Sequence, residues 1–427
     1  FNIMNKIKLL YHYWQAKRLK FHDRTALEAY QQKQLAKFFK HTLSKSPHFA
    51  PYPDKPLSDF PIMDKSVMMS EFDRINTAGL TLADVLDCAY KAEQSRDFSP
   101  TLKGYSVGLS SGTSGKRGAF LVSDDEQARW AGTILAKLLP QGLLHKERIA
   151  FFLRANNNLY NAVRSPTISF EFFDLFTEFK SNINRLQSYN PTIIVAPASV
   201  LRAIALEKSL SALTPTQVIS VAEVLDEQTH ALLTQRFGKV GQVYQATEGF
   251  LACTCSHGRL HLNEEYIYVE KQWLDDARFV PVITDFSRMS QPVVRYRLDD
   301  VLLADNTPCP CGSVATVISK IEGRQGDTLH LPSTRGDSVP IFADVCERIF
   351  ATQLPLTGDY QLNQIDARTL SLTLDSHQAH LDACQKAFMA YFAQMGVATD
   401  KLIWQMHIQP ISRSFEQKRR RICNLYK

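Results

Sequence analysis

The sequence lacks the features that would place it in several large functional classes. No apolar stretch in its 427 residues approaches the roughly 18–20 needed to cross a bilayer. Its N-terminus, FNIMNKIKLLYHYWQAKRLKFHD, has no unbroken apolar core of the kind a secretory signal carries. The expectation is a cytoplasmic protein with no membrane span. Internal repeats and low-complexity tracts are missing too, which argues against solenoids and disordered tails. Charge of one sign is also scarce: 49 basic against 43 acidic residues leave +6, an excess that suits an anionic small ligand as readily as a nucleic acid. The basic run KRRR at 418–421 is not part of an aromatic-interleaved groove, so no nucleic-acid partner is expected.

What is present is an ordinary globular composition, 44% hydrophobic and 22% charged, in a chain too long for one compact core. Residues 26–43 (ALEAYQQKQLAKFFKHTL) repeat apolar positions at helical spacing before a proline-rich break. From 105 to 250, RIAFFL, TIIVAP and TQVISVA read as buried strands, while DEQARWAGTILAKLL and EQTHALLTQRFG read as helices. That alternation predicts an α/β domain with a largely parallel sheet. Beyond Gly323 the texture changes to a polar, turn-rich piece, DTLHLPSTRGDSVP. A helix, two strands, a long helix and a strand follow, which predicts a separate α+β unit behind a linker near 322–330.

The loop GLSSGTSGKRG at 108–118 invites comparison with a Walker A element. Ser110 stands where the first glycine belongs and Arg117 follows the lysine, so that reading fails at both ends. The residues Ser110, Ser111, Gly112, Thr113, Ser114, Gly115 and Lys116 still suit a nest of donors around phosphate oxygens; a surface turn is the alternative. In YQATEG at 244–249, Tyr244 offers an aromatic face for a base, Thr247 a hydroxyl for a phosphate and Glu248 a hard carboxylate for a hard cation. A strand-end turn is the alternative there.

In chain order, these segments resemble the motifs of the adenylate-forming (AMP-binding) superfamily. SSGTSGKRG is similar to its phosphate loop, with Arg117 in place of the usual proline. YQATEG is similar to its aromatic-x-x-Thr-Glu segment, and VVRYRLDDV (293–301) to its Tyr-Arg-Thr-Gly-Asp element. IEGRQGD (321–327) resembles its hinge, and SRSFEQKRRRI (412–422) the segment that carries its catalytic lysine. FPIMDKSVMMSEFDRINTAG (60–79), AEVL (222–225) and FLACTCSHGRLHLNEE (250–265) narrow the resemblance to the phenylacetate–CoA ligase-like branch, which includes relatives of an archaeal deazaflavin-coenzyme-adenylylating synthetase. The resemblance covers nearly the whole chain.

It implies a large N-terminal α/β adenylation domain, residues 1–322, and a small C-terminal α+β (ferredoxin-like) domain, residues 323–427, that turns on a hinge. It also implies contacts to ATP or AMP from residues 110–116, Ala222, Glu223, Tyr244, Gln245, Thr247, Glu248, Asp300 and Arg324. Tyr244 would lie against adenine, Thr247 at the α-phosphate and Asp300 on the ribose hydroxyls. Leu298-Asp299 replaces the usual Thr-Gly, which makes Asp299 a competitor of Asp300. Lys418 and Glu248 are the implied catalytic pair, Lys418 bridging carboxylate and α-phosphate and Glu248 holding Mg²⁺. The implied reaction is ATP-dependent adenylation of a small-molecule carboxylate, followed by transfer to a thiol of coenzyme A or a carrier protein. Adenylyl transfer, amide or ester ligation to an amine or alcohol, and a nucleotide-binding homologue without turnover are the alternatives.

Eight cysteines include the pairs Cys253-x-Cys255 and Cys309-x-Cys311, which in a chain without a signal point to metal before disulfide. Cys255, His261, Cys309 and Cys311 supply a closed tetrahedral set for structural zinc. Cys253 and His257 are substitutes for the upstream ligands, and reduced thiols in a polar turn are the alternative. Segment 149–179 is the expected wall of the acid pocket, although Phe170, Phe172, Phe173 and Phe176 also read as plain core.

Overall fold

A computed structural model describes residues 3–52, 55–110, 117–139, 141–154, 166–411 and 414–426. Five strands make the parallel half of the main sheet, in spatial order Ile168–Asp174, Glu147–Leu153, Ile193–Ala196, Gln217–Ser220 and Val240–Ala246. The central two are buried along their whole length because both faces are covered by helices. Ile193, Val195 and Ile219 enter one core with helix Asp124–Leu138, and Ile194, Ala196 and Val218 enter the other with helices Phe179–Tyr189 and Ala198–Leu206. Helix Asp124–Leu138 starts on a capping box, Ser123 with Glu126. A first helix, Ile3–Arg18, crosses it so closely that a Cβ at Gly132 would sit 2.5 Å from the Leu9 carbonyl oxygen.

At YQATEG the chain reverses. Strand Val240–Ala246 turns through Thr247-Glu248 into antiparallel Gly249–Thr254. Leu260–Leu262, Val317–Arg324, Asp300–Asp305, Arg278–Asp285 and Ile267–Trp273 then extend the sheet in that spatial order, and Val293–Arg297 pairs with Arg278–Asp285. The result is a twelve-stranded mixed sheet among the described residues. A separate hairpin, Ser106–Leu109 with Ala119–Val122, flanks residues 111–116, which lie outside the described residues.

Beyond Asp327 the turn-rich piece is a hairpin, Leu329–Pro332 with Ser338–Ile341. Strands Ile403–Ile408, Thr369–Asp375, Asp359–Gln364 and Ile422–Asn424 form a second mixed sheet in that order. With helices Ala343–Gln353 and Gln378–Gln394 they enclose their own core around Phe350, Tyr360, Phe388 and Phe392. Among the described residues, no helix is long and apolar enough to cross a membrane.

Candidate active site

The carboxyl ends of the parallel strands bring one cluster of polar residues together, as expected for a sheet of this kind. Arg154 follows Glu147–Leu153, Ser199 follows Ile193–Ala196, and Ala222 and Glu223 follow Gln217–Ser220. Ala222 has φ +65°, a left-handed conformation that costs a non-glycine residue about 1 kcal/mol or more. That turn buries the Glu223 side chain to 2% exposure against Arg154 Nη2 at 2.9 Å. The other Glu223 oxygen accepts the Ser199 backbone N–H at 3.1 Å.

The C-terminal segment docks onto this pair. Arg154 donates to the carbonyl oxygens of Glu416 at 3.0 Å and Gln417 at 2.7 Å, while Glu223 accepts the Arg419 backbone N–H at 3.2 Å. Arg421 adds a second tie, donating at 2.8 Å both to Asp226 and to Asp359 of the second sheet. Lys418 is thereby held in the electrostatic field of Asp300, Arg324, Arg154 and Glu223. Burial pushes its ammonium pKa below the usual lysine range, Asp300 and Glu223 oppose the shift, and the two arginines reinforce it.

The two candidate aspartates differ in placement. Asp299 is exposed, and its backbone carbonyl accepts the Gln325 N–H at 2.6 Å. Asp300 is partly buried, stands opposite Arg324 in the sheet register, and accepts the Tyr244 hydroxyl at 2.6 Å. Burial raises the Asp300 pKa from the usual aspartate range, while Tyr244, Arg324 and Lys418 favour its ionised form. Tyr244 is 7% exposed, and burial with the adjacent Asp300 charge keeps its phenol protonated.

At the opposite edge, Thr247 donates its hydroxyl to Glu248 Oε2 at 2.9 Å, and Arg288 fixes the turn by donating to the Thr247 carbonyl at 2.8 Å. Burial and the nearby Glu248 charge push the Tyr296 phenol above its usual range. Gln245 is half-buried in the strand leading to this turn. Of the phosphate-loop residues, Ser111, Gly112, Thr113, Ser114, Gly115 and Lys116 lie outside the described residues. The base of the loop is built. Ser110 N donates to the Gly118 carbonyl at 2.7 Å, and Gly118 N donates to Ser110 Oγ at 2.8 Å. Arg117, in place of the proline, clamps both carboxylate oxygens of Glu93 at 2.6 and 2.5 Å and donates to the Ser110 carbonyl at 2.9 Å.

Sequence reasoning passed over Lys65. It lies beside this base, its Cε 3.2 Å from where a Gly118 Cβ would stand, and it feels the charges of Glu248, Asp299 and Arg324. The segment 60–79 that carries it resembles the family only as a whole, and a lone lysine gives no signal of where its ammonium ends. Arg154 was missed for the same reason. Of the aromatic residues expected to wall an acid pocket, Phe170 and Phe173 are core, Phe172 is half-buried and Phe176 is 51% exposed; residues 155–165 lie outside the described residues.

A second cluster stands apart on the antiparallel half. The ligand atoms of Cys255, His261, Cys309 and Cys311 all lie within 4.8 Å of one another. Cys255 and Cys309 Sγ are 3.7 Å apart, and Cys311 Sγ is 3.5 Å from His261 Nε2. Tetrahedral zinc with bonds of about 2.3 Å to sulfur and about 2.0 Å to nitrogen needs separations of this size. His261 Nδ1 lies 3.3 Å from the Ala315 carbonyl, which leaves Nε2 as the ligating nitrogen. Neither substitute joins the group: Cys253 is buried against Asn263, and His257 is exposed beside Ser256.

No protein-family profile and no curated protein matches the chain. Solved structures do. A 2-hydroxyisobutyryl-CoA ligase in the postadenylation state, in complex with 2-HIB-AMP, aligns over 94% of this chain and 89% of its own at 15% identity, with a TM-score of 0.64. The same ligase with 2-HIB-AMP and CoA in the thioesterification state aligns over 95% and 90% at 15% identity with a TM-score of 0.51. The amide bond synthetase McbA from Marinactinospora thermotolerans aligns over 74% of this chain and 68% of its own at 10% identity, with a TM-score of 0.53. At these identities the likeness is one of fold: the chain has the α/β fold of adenylate-forming ligases.

Proposed function

We propose that the chain is an adenylate-forming ligase of the phenylacetate–CoA ligase-like branch. It joins a carboxylic acid to the AMP of ATP, releases pyrophosphate, and passes the acyl group to a thiol, that of coenzyme A or a carrier protein. The observation that carries this reading is the docking of Glu416–Arg419 on Arg154 and Glu223, which holds Lys418 over the strand ends beside Asp300 and Arg324.

Carboxylate and triphosphate are both anions, so the site must neutralise charge and hold the acid in line with the α-phosphorus. In this reading Asp300 accepts the ribose hydroxyls, with Tyr244 fixing its carboxylate and presenting its ring to adenine. Ala222, Glu223 and Gln245 border the base, Thr247 meets the α-phosphate, and residues 110–116 with Lys116 and Lys65 hold the β- and γ-phosphates. Glu248 is the residue that would hold Mg²⁺: it is a hard oxygen donor beside the loop base, and the bound ion would offset phosphate charge. Lys418 sits between the acid carboxylate and the α-phosphate. The carboxylate oxygen forms its bond to phosphorus as the bond to the bridging oxygen breaks, and pyrophosphate leaves with that electron pair.

Residues 323–427 then turn as a unit about Arg324–Asp327, which breaks the ties of Arg154, Glu223 and Arg421 and withdraws Lys418. The Cys255, His261, Cys309, Cys311 cluster takes structural zinc. The reaction runs in the cytoplasm, where ATP is supplied. ATP–pyrophosphate exchange across a panel of aryl, acyl and amino acids, followed by product mass spectrometry with and without coenzyme A, tests the reading. One acid class should support exchange and give a thioester only when coenzyme A is present. Nucleotide binding with no exchange on any acid contradicts it.

A further inference from the structure

The outer face of the first helix takes no part in the proposed reaction. Helix Ile3–Arg18 packs one side inward through Leu9, His12 and Tyr13. Its opposite side presents Met4, Ile7, Leu10, Tyr11 and Trp14, which are 46–63% exposed. These positions recur in steps of three and four residues and so form one continuous stripe. A surface helix ordinarily has a single apolar face directed at the core; this one has two, on opposite sides.

The charges on the helix itself have one sign: its sequence IMNKIKLLYHYWQAKR contains no acidic residue, and Lys6, Lys17 and Arg18 flank the stripe, while Lys8 pairs with Asp125 of the neighbouring helix at 2.7 Å. Beside the stripe opens a cleft of about 500 Å³, walled by Tyr11 of this helix, by Lys37, His41, Lys45 and Arg129, and by one acid, Glu265, which pairs with Lys137. Arg129 is half-buried there and makes no ion pair among the described residues.

We propose that this face binds the surface of an anionic phospholipid bilayer. The helix lies in the plane of the interface with its apolar stripe among the upper acyl chains, its lysines at the headgroups, and the neighbouring cleft open to a headgroup phosphate. Charge complementarity selects this occupant. Symmetric pairing with a second copy would set two basic helices against each other, the nearest acids, Asp124 and Asp125, being already engaged by Asn5 and Lys8. Tryptophan and tyrosine beside lysines are the side chains that favour the headgroup level of a bilayer.

Sedimentation of the full chain with vesicles of phosphatidylcholine, alone or mixed with phosphatidylglycerol, tests the assignment. The protein should pellet with the anionic vesicles at least about tenfold better than with the neutral ones, and less well as salt rises. The pairs Ile7→Ser with Trp14→Ser, and Lys6→Glu with Lys17→Glu, should each abolish pelleting without changing the melting temperature, since all four side chains are exposed. Equal pelleting with both vesicle types, none with either, or full binding by the stripe variant overturns the proposal. So does a dimer that the stripe variant converts to a monomer without any vesicle binding, because the stripe is then a subunit contact.

Discussion

Replacing Arg154 by alanine should uncouple adenylation from nucleotide binding. The guanidinium makes two hydrogen bonds to the segment bearing Lys418, to the carbonyls of Glu416 at 3.0 Å and Gln417 at 2.7 Å, and a third at 2.9 Å to Glu223, which itself accepts the Arg419 N–H. Its side chain is 15% exposed, so these bonds form in a largely dry site. A hydrogen bond to a charged group contributes about 1.5–3 kcal/mol, and an undocked segment recovers part of that by hydrating its carbonyls. A net loss of about 3 kcal/mol in docking lowers the fraction of molecules with Lys418 in place, and with it the adenylation rate, roughly 100-fold. Affinity for ATP should change little, because Arg154 itself is not among the proposed nucleotide contacts. The assay pairs ATP–pyrophosphate exchange, on the acid that the panel identifies, with an equilibrium ATP titration. Exchange within about threefold of the parent refutes the docking argument. A fall in ATP affinity that matches the fall in exchange also refutes it, because Arg154 would then be a nucleotide ligand.

Other consequences are equally direct. Asp300→Ala should weaken ATP binding far more than Asp299→Ala, and Tyr244→Phe, which leaves Asp300 without its phenolic donor, should cost about tenfold; equal losses at the two aspartates contradict the ribose assignment. Purified protein should carry stoichiometric zinc by elemental analysis, and Cys309→Ser should lose it and lower the melting temperature; retention of zinc in that variant contradicts the ligand set. Glu322 and Asp344 share Arg278, and burial with the Asp344 charge raises the Glu322 pKa to about 8, well above its unfolded value. The folded state therefore holds a proton that the unfolded state has released, so this contribution is full in acid and lost as pH rises toward 8. Stability should fall by about 2 kcal/mol between pH 6 and 8, and Glu322→Gln should flatten that slope in melting experiments.

Much of this was legible in the sequence where local pattern and structure coincide. RIAFFL, TIIVAP and TQVISVA are buried on both faces, so their apolar runs announce parallel strands directly. The antiparallel half of the sheet was harder to read: Ile267–Trp273 is half-buried along most of its length, and bulges interrupt the pairing elsewhere, as between Val301 and Leu302. The candidate site divides the same way. Tyr244, Glu248 and Asp300 sit within short contiguous motifs. Lys65 and Arg154 reach the site through long side chains from segments whose own pattern says only helix or strand. The Cys255, His261, Cys309, Cys311 group was readable from ligand type and spacing, but the choice against Cys253 and His257 needed the packing: Cys253 is buried in the core against Asn263, and His257 is exposed.

The central claim is that Lys418 acts in forming the acyl-adenylate and not in consuming it. Single-turnover measurement of both steps in Lys418→Ala, with chemically prepared acyl-adenylate supplied for the second, tests this most directly. The account predicts that adenylate formation is lost, while transfer from supplied acyl-adenylate to the thiol and binding of ATP stay near the parent values. Adenylate formation at the parent rate in this variant would contradict it.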